Sequence, residues 1–80
     1  MRIILYTKTG CGWCDDVRDL LDEKNIKFEE KNIFEKPEYF EELIQKSKQT
    51  LTPTFDIDGK IIVDTDAEAV EAYLKSRNII

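Results

Sequence analysis

The sequence predicts an α/β fold: a four-stranded mixed sheet with three helices on its two faces, in the order β-α-β-α-β-β-α. Three observations predict it. An apolar strand-like run is followed at once by an amphipathic helical stripe, which is the start of a β-α-β unit. Two β-rich runs flank Asp58-Gly59, among the strongest short hairpin signals. The spacing Thr65-Asp66-Ala67-Glu68 then suits a capping box opening a last helix. Eighty residues support one domain over 1–80, because a chain this short buries only about 60% of its unfolded surface.

Each element has its own local reason. Arg2 to Thr7 carries β-branched and aromatic residues without a breaker and reads as a buried strand. Val17, Leu20, Leu21 and Lys24 fall at i, i+3, i+4 and i+7, which predicts a helix over about Gly12–Lys24 with Asn25 as its stop. Ile26 to Asn32 alternates, with Ile26, Phe28 and Glu30 on one side and Lys27, Glu29 and Lys31 on the other. It reads as a strand at the sheet edge. Pro37 suits the first position of a second helix. Its expected inner stripe is Phe40, Leu43 and Ile44, and it fades near Ser47. Thr54 to Ile57 and Lys60 to Val63 are the hairpin strands, and the last helix carries Ala69, Val70, Tyr73 and Leu74. A β-α-β crossover is right-handed, so the first two strands are expected to be parallel. The expected strand order is 2-1-3-4, of which the sequence alone dictates only the hairpin adjacency.

Composition narrows the function. Twelve basic and 17 acidic residues leave a net charge of −5, which favours a soluble monomer and disfavours a polyanion such as nucleic acid. The longest aliphatic runs, Ile3-Ile4-Leu5 and Ile61-Ile62-Val63, are far short of the about 20 residues a membrane span needs. The apolar stretch at Met1–Tyr6 is too short for a secretory signal, so the expected compartment is the cytoplasm. There two cysteines serve more readily as reactive thiols than as a structural bridge. The chain has no His. That excludes Ser-His-Asp and Cys-His catalysis and any His-ligated metal.

The scarce residues are crowded together. Of the eight Gly, Cys, Pro and Trp residues, five lie between Gly10 and Cys14. Cys11-Gly12-Trp13-Cys14 has three readings. Half of a zinc site lacks the two further ligands that structural zinc normally takes. A structural disulfide would close almost no loop and remove little unfolded-state entropy. A redox dithiol gives the spacing a purpose. The motif follows a strand and opens a helix, so Cys11 stands at or near the N-cap. There the unpaired N–H groups and the helix dipole favour a thiolate. Cys14 lies one turn inward, so Cys11 attacks and Cys14 resolves. A Cys-x-x-Cys beside a β-α-β pattern reads as thioredoxin-like redox chemistry. Lys8 favours the thiolate, whereas Asp15 and Asp16 suit the helix start but oppose a neighbouring anion. Trp13 is expected to be partly exposed, as a flat platform for a thiol-bearing substrate.

Over nearly its whole length the chain resembles a glutaredoxin. Tyr6-Thr7-Lys8-Thr9-Gly10-Cys11-Gly12-Trp13-Cys14 is similar to the family's active-site signature, Leu51-Thr52-Pro53 to its Thr-Val-Pro, and Asp58-Gly59 falls at its Gly turn. The resemblance implies a thioredoxin-type fold and a cis Pro53 beside the motif. It also implies that Lys8 and Gln49 hold a glutathione carboxylate while Thr52 pairs with its backbone. Three departures stand out. Gly12 replaces the usual Pro, a change associated in the family with a glutathione-linked iron–sulfur cluster. Val63-Asp64 replaces the Gly-Gly that faces glutathione's γ-glutamyl end, so that Val63 adds a side chain and Asp64 a negative charge, which either opposes the ligand's carboxylate or receives its ammonium group. Thr65-Asp66 replaces the acidic pair at the last helix, whose N-terminus remains an anion site in principle.

The leading expectation is a dithiol thiol–disulfide oxidoreductase that reduces protein or glutathione mixed disulfides. Its substrate-binding residues are Lys8, Trp13, Gln49, Thr52, Pro53, Thr65 and Asp66, and it uses glutathione as co-substrate with no tightly bound cofactor or metal. One alternative is a thioredoxin-like electron carrier, such as those that serve ribonucleotide reductase, supplied by a reductase. A second is a dimeric iron–sulfur carrier holding its cluster through one Cys11 per chain and two glutathiones. A binding module without catalysis would not need both cysteines.

Overall fold

A computed structural model describes residues 1–80, in the predicted element order. The elements are β1 (Ile3–Thr7), α1 (Gly12–Glu23), β2 (Glu29–Asn32), α2 (Pro37–Ser47), β3 (Thr54–Ile57), β4 (Lys60–Ile62) and α3 (Ala67–Ser76). The sheet order is β2-β1-β3-β4, as expected. β1 pairs in parallel with β2 and antiparallel with β3, and the hairpin closes through Asp58 and Gly59, both at positive φ. No helix is long and apolar enough to cross a membrane.

β1 is buried along its whole length because both of its faces are covered. Ile3 and Leu5 join Phe55 and Ile57 under Val17 and Leu21 of α1 and Val70 and Leu74 of α3. Ile4 and Tyr6 face the other way, to Ile33 and to Leu43 of α2. The period of two along β1 thus divides the core into two layers, with α1 and α3 on one face and α2 on the other. A fully buried Leu or Phe is worth about 1.5–3 kcal/mol against its exposed state, so the larger cluster supplies most of the packing energy.

Several boundaries and faces differ from the sequence expectation. β2 begins at Glu29 rather than Ile26. Asn25 takes a left-handed turn (φ 57°), and the Ile26 N–H donates back to the Leu21 carbonyl, so Ile26 and Phe28 belong to the turn out of α1. They still pack against the larger core. Lys24 is an exposed C-cap, not part of the inner stripe. β4 ends at Ile62, leaving Val63 in the following loop. Thr65 does not cap α3. Asp66 does, its carboxylate accepting from the Ala69 N–H at 2.8 Å. Ala69 is exposed, and Ala67 packs on the core in its place.

The largest correction concerns α2. Of the expected inner residues only Leu43 is buried; Phe40 is 39% and Ile44 38% exposed, and Tyr39 packs inward instead. The reason lies in the sheet beneath. Lys31 of β2 is buried, as is Asp56 of β3. Both need partners. α2 turns Glu42 and Lys46 toward them: Lys31 Nζ donates to both Glu42 oxygens (2.9 and 2.8 Å) and Lys46 Nζ donates to Asp56 Oδ2 at 2.9 Å. Tyr6 Oη, fully buried nearby, has no hydrogen-bond partner, and burial pushes its pKa up to about 12. The helix is rotated to serve charges as well as to bury apolar surface.

Two outcomes follow. Leu43→Ala is expected to cost about 2–5 kcal/mol in urea unfolding. Ile44→Ala, which would match it had Ile44 been core, is expected to cost under about 1 kcal/mol. The acid limb of stability is expected to come from Glu30 and Glu42. The Arg18 hydrogen bonds hold Glu30 below its ordinary 4.5. Burial opposes ionisation of Glu42, but hydrogen bonds led by Lys31 outweigh it and hold its carboxyl low as well. A depressed folded pKa stabilises above the unfolded value and is lost as pH falls through the folded one. The urea midpoint should therefore drop as pH falls below about 4.5, more shallowly in Glu30→Gln.

Candidate active site at the first helix N-terminus

β1 delivers the chain to the site. After buried Thr7 it turns through Gly10, whose φ of +82° suits glycine. The Cys11 N–H closes this turn on the Lys8 carbonyl at 3.3 Å. Cys11 is then the N-cap of α1, in extended conformation (φ −93°, ψ 104°). Its Sγ accepts the Cys14 N–H at 3.2 Å, and its carbonyl accepts the Asp15 N–H at 3.2 Å. The sulfur occupies the place of a capping oxygen. In the reduced protein the same N–H and the helix dipole favour the thiolate over the thiol.

The two cysteines form a disulfide with Cα atoms 5.2 Å apart. Cys11 keeps 8% of its surface exposed and Cys14 none. Only the first sulfur is therefore open to a large partner. The Thr52 hydroxyl donates toward Cys11 Sγ at 3.8 Å. The Thr52–Pro53 bond is cis, as the resemblance implies.

An open groove runs past Cys11, lined by Lys8, Gly12, Trp13, Leu51, Thr52 and Asp64. Of the expected site residues, the structure brings Lys8, Trp13 and Thr52 to it. Trp13 is 63% exposed, in keeping with a platform rather than a core role. Pro53 and Thr65 lie buried behind the groove, joined by the Thr65 N–H donating to the Pro53 carbonyl at 2.9 Å. Gln49 is not in the lining. Its Nε2 donates to Ser47 Oγ and Thr54 Oγ1 (2.7 and 3.2 Å), and its Oε1 accepts the Leu51 N–H, so its amide shapes the loop. Asp66 spends one carboxylate oxygen on capping α3.

Sequence reading did not include Leu51 and Asp64 among the site residues. Leu51 left a signal, an apolar residue alone among polar ones before Pro53. Asp64, in the Gly-Gly position, now shows its setting: a left-handed residue (φ 48°) on the groove, in no ion pair. The largest surface hollow, along Asp22 and Asn25 to Phe28, holds no cysteine; the reactive group lies in the smaller groove.

A four-stranded 2-1-3-4 sheet, a Cys-x-x-Cys capping the first helix and a cis-proline beside it define a thioredoxin-fold redox protein. Within that class the chain belongs to the glutaredoxin family, whose model (Glutaredoxin) matches residues 3–62. It is 32% identical over 73 residues to an uncharacterized glutaredoxin-like 8.6 kDa protein of the rubredoxin operon of Clostridium pasteurianum, covering 91% of this chain and 97% of that protein. It is 34% identical over 65 residues to glutaredoxin 3 of Escherichia coli (strain K12), covering 81% and 78%. The solved structure of the thioredoxin-like protein BC3987 superimposes with a TM-score of 0.82 at 25% identity, covering 89% of this chain and 97% of that one.

The difference in burial gives a direct test. In the reduced, folded protein iodoacetamide is expected to modify Cys11 at least about tenfold faster than Cys14, since thiolate character and access control the rate. Mass spectrometry of quenched samples reads the ratio, and equal rates would refute the assignment of attacker and resolver.

Proposed function

We propose that the protein is a dithiol thiol–disulfide oxidoreductase whose preferred substrates are disulfides carried on polypeptides. The single observation that carries this reading is the Cys11 sulfur, held as a helix cap on an open groove with Cys14 buried directly behind it. The Cys11 thiolate attacks one sulfur of the substrate disulfide. A mixed disulfide forms and the other substrate sulfur leaves as a thiolate. Cys14 then loses its proton to solvent and attacks Cys11 Sγ. The second substrate thiolate departs, and the Cys11–Cys14 disulfide remains. Two electrons have passed to the substrate, and an external thiol or reductase returns them. Because Cys14 is inside, resolution is intramolecular.

The groove supports a polypeptide more than it supports glutathione. Trp13 and Leu51 present large exposed apolar surfaces beside Cys11, suited to an extended segment next to the loop of Pro53. Lys8 can meet a carboxylate. Asp64 opposes one, and Asp66 adds a second acid near the N-terminus of α3, where the family holds the γ-glutamyl end. Gln49 is already committed within its loop. These observations favour a second reading within the same chemistry: a thioredoxin-like carrier recharged by a reductase rather than by glutathione. The iron–sulfur carrier reading rests on Gly12, where an added Cβ would meet nothing within 4 Å. It needs the same glutathione contacts that Asp64 opposes. The function calls for a reducing compartment such as the cytoplasm, and a monomer suffices for it.

The test is a paired assay of disulfide reduction, with glutathione plus its reductase in one arm and thioredoxin reductase in the other. Cys11→Ser is expected to abolish turnover in any arm where the wild type is active. Cys14→Ser is expected to abolish reduction of protein disulfides while sparing any deglutathionylation. Asp64→Asn, which removes the charge and keeps a residue tolerant of left-handed backbone, is expected to raise the glutathione-supported rate by roughly threefold to fivefold, the scale of one exposed charge. Absence of turnover with every donor and disulfide would overturn the function. An unchanged glutathione rate in Asp64→Asn would overturn the role given to Asp64.

A further inference from the structure

We infer that Arg18 is a positioning residue for the redox site: it holds the Asp15 carboxylate against Glu30 and so keeps that negative charge from opposing the Cys11 thiolate. The inference rests on Cys11 being the attacking thiol.

Asp15 stands in the first turn of α1, and its own N–H is bonded to the Cys11 carbonyl. A carboxylate there suits the helix dipole but raises the pKa of a thiol at the cap. Arg18 lies less than one turn further along. Its Nη1 donates to Asp15 Oδ1, while Nε and Nη2 donate to the two oxygens of Glu30 at 2.8 and 2.7 Å. Such a fork is the geometry in which a guanidinium binds best and lysine cannot match it. The Thr7 hydroxyl also donates to Glu30, at 2.8 Å. Thr7 ends β1, and Asp15 follows the cap of α1. The network therefore ties together the two sides of the turn that presents Cys11.

The charge balance gives Arg18 its weight. With Arg18 present, two carboxylates share one guanidinium. Without it, two acids stand unpaired beside the helix N-terminus. The Arg18 and Glu30 side chains are only 31% and 30% exposed, so solvent screens the fork incompletely. The other charges near Cys11 are Lys8 and Asp64, which line its groove, and Asp16, the exposed neighbour of Asp15 on α1. The loop of Leu51, Thr52 and Pro53 brings none. The Cys14 thiol lies behind, and none of these groups bonds to Arg18.

The experiment titrates thiolate absorbance at 240 nm in fully reduced protein carrying Cys14→Ser, so that one thiol is read. Arg18→Gln is expected to raise the Cys11 pKa by roughly 0.3–0.7 unit, the size of an exposed-to-half-buried charge effect. Adding Asp15→Asn is expected to reverse most of that rise. Asp15→Asn alone is expected to move the pKa by less than about 0.2 unit, because Arg18 already draws that carboxylate toward Glu30. A merely structural Arg18 would give the same displaced value with and without Asp15→Asn, and that result overturns the inference. So does an unchanged pKa in Arg18→Gln. If Arg18→Gln does not fold, Asp15→Asn alone decides: a fall of half a unit or more shows the acid was never shielded. The titration needs no substrate. An inactive wild type would refute the proposed function and leave this measurement standing.

Discussion

The structure depends on how the end of β1 meets the start of α1. A helix N-terminus leaves four N–H groups without partners, and here a sulfur takes one of them. Cys11 Sγ can do so because Gly10 turns the chain and the Lys8 carbonyl closes that turn behind it. The same sulfur must remain open on the outside. The fold meets both demands by placing Cys14 inside and packing the Thr52–Pro53 loop along one side only. Capping and reactivity are one interaction here: the N–H that completes the helix is also the group that favours the thiolate.

That junction is rigid because β1 is held from every direction. It pairs on both edges and is covered on both faces. The covering differs between faces. On the α1 and α3 side it is apolar. On the α2 side Ile4, Tyr6, Ile33 and Leu43 stand beside the linked charges of Lys31, Glu42, Lys46 and Asp56. Ion pairs with a buried partner seldom add net stability over apolar replacements, but leaving the buried charge of Lys31 or Asp56 alone is costly. The cluster therefore acts on orientation: it selects the one rotation of α2 that satisfies every charge. This leaves Phe40 and Ile44 half outside.

Around the redox centre, charge is distributed unevenly. Lys8 is the one cation lining the groove, while Asp64 stands there without an ion pair. Asp15 is bound to Arg18, and Asp66 is bound to its own helix. These three acids thus differ in what they can do: one is bound to a guanidinium, one is a cap, and one is free to meet a substrate. Trp13 and Leu51 add apolar surface beside them. Recognition by such a groove depends on the side chains flanking a target disulfide as much as on the sulfur itself.

The sequence by itself determined the parts that local chemistry controls. The Cys-x-x-Cys after a strand dictated a capped, reactive sulfur; Asp58-Gly59 dictated a hairpin; Pro37 dictated a helix start; the period of β1 dictated a two-sided core. What it could not reach were relations between distant residues. The pairing of Glu42 and Lys46 left no signal because Lys31 and Asp56 belong to other strands, and only the folded sheet brings those charges under α2. The pairing of Arg18 left no signal because Glu30 lies on β2. Gln49 read as a ligand contact because its loop partners became visible only once Ser47 and Thr54 were placed. Thr65 read as a cap, but its N–H is taken by Pro53 across the fold, and Asp66 serves instead. Short-range periodicity and turn chemistry act within a few residues and survive in one dimension. The pairing of buried charges and the lining of a groove arise where separate segments meet, so the tertiary structure alone decided them.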